Sequence, residues 1–174
     1  SLLPKSAARN PRHQKQIEAP WLVHKIFGQW SRVLEIKRPA EGAPYLSGMW
    51  AYTQGSARIA QKAFSQAREH LAQLEALVEL SRRDTGQAGA TPNARILELA
   101  ALSLRGELLE ATGDLDGAIK AFEAGVALED QNNYTEPPDW PQPLRHYLGA
   151  ALLKAGRPVD AETVYRRDLQ WNHN

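Results

Sequence analysis

The sequence predicts an all-α chain in which antiparallel helix hairpins stack side by side as a short solenoid, preceded by one amphipathic helix. Three observations predict it. Apolar residues recur at helical spacing along most of the 174 residues, and no sustained apolar–polar alternation with β-branched enrichment marks a strand. Gly55, Gly106 and Gly149 are each followed twelve residues later by an alanine (Ala67, Ala118, Ala161) and four further on by a large residue (Leu71, Phe122, Tyr165). Turn glycines, Gly113 and Gly156, stand at one offset in the second and third copies.

Taken in chain order, residues 1–18 carry Lys5, Arg9, Arg12, His13 and Lys15 against the single acid Glu18. Pro4 and Pro11 interrupt a helix there, so this segment reads as a flexible or extended basic arm. Residues 19–174 read as one helical domain. Leu22, Val23, Ile26, Phe27, Trp30, Val33 and Leu34 recur at helical spacing and predict an amphipathic helix over 21–36, ended by Lys37-Arg38-Pro39. A first hairpin follows over about 45–83, broken near 62–65, and a loop over 84–92 contains Gly86 and Gly89. The second hairpin spans 93–129, with Gly113 ending its first helix and Asp114 capping its second. Residues 130–140 read as a loop stiffened by Pro137-Pro138. The third hairpin spans 141–170, with Pro141 in its first turn and Gly156-Arg157-Pro158 as its turn.

Composition bounds the function. With 43% apolar and 24% charged residues the chain can bury one sizeable core. Its 21 basic and 20 acidic residues leave a formal charge of +1, too weak a field to make nucleic acid or an anionic membrane the main partner. No apolar run approaches the roughly 20 residues of a membrane span, and Ser1-Leu2-Leu3-Pro4 lacks the apolar stretch of a signal peptide. Without cysteine there are no disulfides, thiolate metal sites or cysteine nucleophiles, and a cysteine-free chain suits a cytoplasmic and a periplasmic setting equally.

The repeat has a packing logic. A small residue on the first helix lets the second approach, an alanine receives it, and the large side chain fills the seam. The pattern resembles the tetratricopeptide repeat over roughly residues 45–170, most closely at Ser103-Leu104-Arg105-Gly106 through Phe122 and at Leu148-Gly149 through Tyr165. Copy one departs from it, with Lys62 where the turn glycine would stand and Arg58 at a usually apolar place; the glycine spacings of 51 and 43 residues exceed the family's period. Phe27-Gly28-Gln29-Trp30, the Tyr134-to-Trp140 stretch and Leu148 to Arg157 also resemble the C-terminal part of long bacterial tetratricopeptide proteins of mostly unassigned role. That resemblance, together with Trp171-Asn172-His173-Asn174 directly after a second helix and no initiator Met, implies a segment of a larger solenoid.

Little in the sequence carries reaction chemistry. No two of His13, His24, His70, His146 and His173 share the spacing that places two metal ligands on one helical face, so no metal and no cofactor is expected. No serine elbow or phosphate-binding loop occurs, and the chain is not expected to be an enzyme. The alternative is a hydrolase or small-ligand protein with a pocket near Glu136, Trp140 and Arg145, where Glu136 and Asp139 would act as acid and base; the structural reading makes those carboxylates helix caps. Arg105 and Arg145 occupy seam positions and require carboxylates, Asp168 being the expected partner of Arg145 and Glu136 its rival.

The tetratricopeptide resemblance implies a protein or peptide partner held in a groove lined by the first helix of each pair. The groove-facing offsets are Met49, Tyr52, Ser56 and Ile59, then Ser103, Glu107 and Glu110, then His146, Ala150 and Leu153, with Gly55, Gly106, Gly149, Arg145 and Asp168 as structural positions. This lining is polar and weakly acidic, which suits a basic or neutral peptide better than an acidic one. A further expectation is that residues 21–30 dock as an added helix in the groove of the same or another copy. A homo-oligomer through that helix, or through an apolar end face around Leu169 and Trp171, follows as a second mode of association.

Overall fold

Eight helices and no strand make up the residues that the computed structural model describes, 11–84, 92–131 and 140–171. They are α1 (Pro11–Ile26), α2 (Trp30–Glu35), α3 (Pro44–Ala60), α4 (Phe64–Asp84), α5 (Pro92–Ala111), α6 (Leu115–Glu129), α7 (Leu144–Lys154) and α8 (Pro158–Trp171). The last six pack as neighbouring pairs, α3 with α4, α5 with α6 and α7 with α8. The pairs are joined by α4 against α5, α6 against α7, and α3 directly against α5. The all-α architecture of helix pairs expected from the sequence is the one observed.

One backbone device closes all three hairpins. At each turn a residue in the left-handed region, Lys62 (φ 58°), Gly113 (φ 92°) or Gly156 (φ 72°), reverses the chain. The next amide then donates to the carbonyl five residues back, from Ala63 to Arg58, Asp114 to Leu109 and Arg157 to Leu152, each at 2.9 Å. Lys62 adopts the glycine conformation at a cost of about 1 kcal/mol, which is why copy one looks degenerate in sequence yet folds the same way. Asp114 caps α6 as expected, its carboxylate accepting from the Gly117 amide at 2.8 Å.

The repeat glycines serve two different contacts. A methyl on Gly106 would overlap the Phe122 ring, and one on Gly149 the Tyr165 ring, so in these pairs the large residue fills the seam over the glycine as predicted. In the first pair Gly55 receives Leu104 of α5 instead of Leu71, and Gly48, one heptad earlier, receives Leu97. The same small-residue rule thus brings α3 against the next pair, because a helix two neighbours wide needs close approach on more than one face. Ala67, Ala118 and Ala161 are all fully buried.

The N-terminal region departs from expectation. Residues 11–18 are helical where an arm was expected, because Pro11 stands in the first turn, where its missing N–H is not needed. Pro20, which removes one intrahelical donor, sits on the exposed side of α1. The single helix expected over 21–36 is divided at Gly28, whose φ of 64° lets Gln29 bond back to the His24 carbonyl at 2.8 Å. The short α2 is pinned to α3 by buried Val33, whose carbonyl accepts from Gln54 Nε2 at 2.5 Å, while Trp50 Nε1 donates to the Ile36 carbonyl at 2.9 Å. Pro141 precedes α7 instead of opening it; the helix starts at Leu144, whose amide is taken by Glu129 Oε2 at 2.9 Å.

That contact makes stability depend on pH. Burial, with Asp130 and Asp168 nearby, raises Glu129 from its ordinary 4.5 to about 6 despite the Leu144 hydrogen bond and Arg145. A carboxyl raised on folding contributes stability that is complete below the unfolded value and is lost as the pH rises through the folded one. Glu129→Gln keeps an acceptor for Leu144 and removes the titration. It is expected to raise stability at pH 7.5 by about 1–2 kcal/mol and to leave it unchanged near pH 4, measured by urea unfolding at the two pH values.

Candidate functional site

α1 packs along α3 and reaches, through side chains, α5 and α7, the first helices of the other two pairs. Gln14, Ile17, Glu18, Trp21, Leu22 and Lys25 recur at spacings of three and four and form one stripe, and all of them are buried or half-buried. Tyr45 Oη donates to Glu18 Oε1 at 2.8 Å, and Lys25 Nζ lies 4.8 Å from the centre of the Tyr52 ring. Both contacts span 27 residues, so α1 runs parallel to α3 in fixed register. Asn93 Nδ2 donates to Gln14 Oε1 at 3.0 Å near the start of α5, and Glu107 meets Lys25 further along it, so α1 is parallel to α5 as well.

Lys25 ends in a polar cage to which each pair contributes. Its ammonium donates to Tyr147 Oη of α7 at 2.9 Å, lies 3.1 Å from Glu107 Oε1 of α5, and faces the Tyr52 ring of α3. The surrounding groups have their protons committed in order. Tyr52 Oη is 3.2 Å from Ser103 Oγ, Ser103 donates to Glu107 Oε1 at 3.1 Å, and Tyr147 donates to Gln142 Oε1 at 2.6 Å. Burial alone would favour the neutral amine, but Glu107 and the Tyr52 and Tyr147 oxygens outweigh it and hold Lys25 well above its ordinary range. Burial likewise raises both tyrosines, so Lys25 stays charged and Tyr52 and Tyr147 stay protonated at neutral pH. Trp140 leans on Tyr52 with ring centroids 5.5 Å apart, and Phe122 stacks on Tyr147 at 5.6 Å.

Of the residues expected in the groove, Tyr52, Ser103 and Glu107 meet at this cage. Met49 and Ser56 lie on the Tyr45–Tyr52 stripe of α3 and are buried, and Ile59 is half-buried near its end. Glu110 joins α5 to α7 through Lys154. His146 turns away to the last seam, where its Nε2 is 2.9 Å from Asp168 Oδ2, and Ala150 and Leu153 do not take part in the cage. The segment packed on α3 and reaching α5 and α7 is 14–25 of the same chain and not the 21–30 expected to dock, and Trp30 belongs to α2. Lys25 and Tyr147, which complete the cage, were not singled out by the sequence reading. The signal for Lys25 was its register, together with Glu18, on one helical stripe with Ile17, Trp21 and Leu22; Tyr147 carried none.

Elsewhere, Arg145 is buried and donates to Asp130 Oδ2 at 2.7 Å, a carboxylate not named beforehand. Arg105 lies on the surface, outside the seam expected for it, and pairs with Glu75 of α4 at 2.7 Å, an exposed contact worth less than about 1 kcal/mol. Glu136, Asp139, Tyr134 and Pro137-Pro138 lie outside the described residues, as do Lys5, Arg9, Gly86, Gly89, His173 and the side chain of Trp171. Buried Trp140 borders a narrow crevice lined by Leu22, Lys25, Ile26, Tyr52 and Gln142, whereas Arg145 points to Asp130. At the far end, Leu153 and Leu169 are exposed around an open hollow between α7 and α8. Among the described residues no three His, Asp or Glu side chains gather to hold a metal ion, and no helix is long and apolar enough to cross a membrane. Compared with family models, curated proteins and solved structures, the chain has no match in any of the three.

Proposed function

We propose that the chain is a protein-interaction scaffold of tetratricopeptide-like design that binds a peptide or protein partner on the face formed by α3, α5 and α7. The observation that carries this reading is the seated α1: a helix held by side-chain contacts to all three pairs supports a face that takes a helical peptide. The weakly acidic lining, with Glu107 at its centre, favours a basic or neutral partner over an acidic one.

The test is capture from host lysate with two full-length chains, the wild type and a Leu22→Asp, Lys25→Ala variant whose α1 is disfavoured on the face. The variant is expected to retain a protein that the wild type does not, and free peptide of sequence 11–27 is expected to displace it. Retention that is equal for both chains, or untouched by the peptide, would count against this face as the binding surface.

A further inference from the structure

The Lys25 cage is built to receive an ammonium whether or not α1 supplies it. Its three walls come from three helices, and each wall is held by a contact that does not involve Lys25. Ser103 holds Glu107, Trp140 supports Tyr52, and Tyr147 is fixed by Gln142 and by the stacked Phe122 ring. The ammonium has a carboxylate oxygen, a phenol oxygen and an aromatic face as its partners, a set that suits the compact three-donor head of lysine better than the planar fork of arginine. Residues 27–29 link the occupant to α2. Phe27 there is 73% exposed and Gly28 supplies the reversal, so the link itself is not buried, and the departure of α1 has to break its packing against α2 as well as α3.

We propose that α1 is an autoinhibitory stand-in and that the partner of this face is an amphipathic helix presenting a lysine to the cage of Tyr52, Glu107 and Tyr147. This deepens the scaffold reading and rests on it. The stand-in defines the partner's pattern: an acceptor for Tyr45 at the place of Glu18, apolar residues at those of Trp21 and Leu22, and the lysine seven residues after the acceptor. Because the tether is three residues long, α1 competes from a high effective concentration. A partner therefore needs either higher intrinsic affinity or an event that draws α1 away.

The test lets the chain fold with α1 in place and then frees it. A protease site is inserted after Phe27 in the otherwise full-length chain, the chain is cut after folding, and exchange is followed by fluorescence anisotropy with labelled peptides of sequence 11–27. The peptide with Lys25 is expected to exchange onto the cut chain and to bind the uncut chain at least about ten-fold more weakly. Lys25→Met in the peptide is expected to cost about ten-fold or more on the cut chain, and this difference is expected to shrink when the chain carries Glu107→Gln. Equal binding of the two peptides would overturn lysine recognition while leaving helix binding in place. Equal binding to cut and uncut chains would overturn autoinhibition. If neither peptide exchanges after cutting, the face does not take a helix in trans and the scaffold reading falls with the proposal.

Discussion

Lys25→Met is expected to destabilise the docking of α1 by about 3 kcal/mol, because it leaves the largely buried Glu107 without its counter-charge. The loss is capped by the free energy that holds α1 in place, since beyond that point the helix departs and water reaches Glu107. Glu107→Met alone is expected to cost a similar amount by stranding the Lys25 ammonium. The Lys25→Met, Glu107→Met double variant replaces an ion pair with apolar side chains of like length and is expected to recover most of the loss. A double-mutant cycle by urea unfolding gives the coupling directly, and additive single effects would show that the two groups do not depend on one another.

Phe122→Ala is expected to cost about 4 kcal/mol, lowering the melting temperature by roughly 10 °C. The ring is fully buried, fills the seam above Gly106 and stacks on Tyr147, so its removal opens a cavity between α5 and α6 and takes away one support of the cage. Gly106→Ala attacks the same contact from the other side by overpacking, at about 1–3 kcal/mol. Combining Gly106→Ala with Phe122→Leu is expected to cost less than the sum of the two, because the smaller side chain makes room for the methyl. Calorimetry on the four chains checks this, and a Phe122→Ala effect below about 1 kcal/mol would contradict the account of the seam.

The helix pairs were legible because their signals are local. The glycines at 106, 113, 149 and 156 state close approach and chain reversal in single residues, and Asp114 states a cap. The first turn was legible near 62–65 without a glycine to mark it, since Lys62 meets the same backbone requirement with a side chain that rarely accepts it. Gly55 was read correctly as a close-approach site but assigned to the wrong neighbour, since a glycine shows that something comes near without showing from which side.

The site was half legible for a different reason. Tyr52, Ser103 and Glu107 follow from the spacing of a groove, yet α1 resists recognition because its buried stripe mixes Ile17, Trp21 and Leu22 with Gln14, Glu18 and Lys25, while Val23, Ile26 and Phe27 are exposed. Amphipathicity fails as a guide wherever a helix buries charges against complementary ones. Arg145 was legible as a buried cation that takes a carboxylate, and Asp130 is one that it meets. Burial required a carboxylate, and which of several nearby acids supplies it is decided by tertiary geometry.

The central claim is that α1 is a separable occupant of a face the rest of the fold maintains, and amide hydrogen exchange of the full-length wild type and of the Lys25→Met variant tests it most directly. Residues 14–26 are expected to lose protection in the variant while α3 to α8 keep theirs. Loss of protection throughout α3, α5 and α7 together with α1 would contradict it, because α1 would then be part of the core that holds the pairs together.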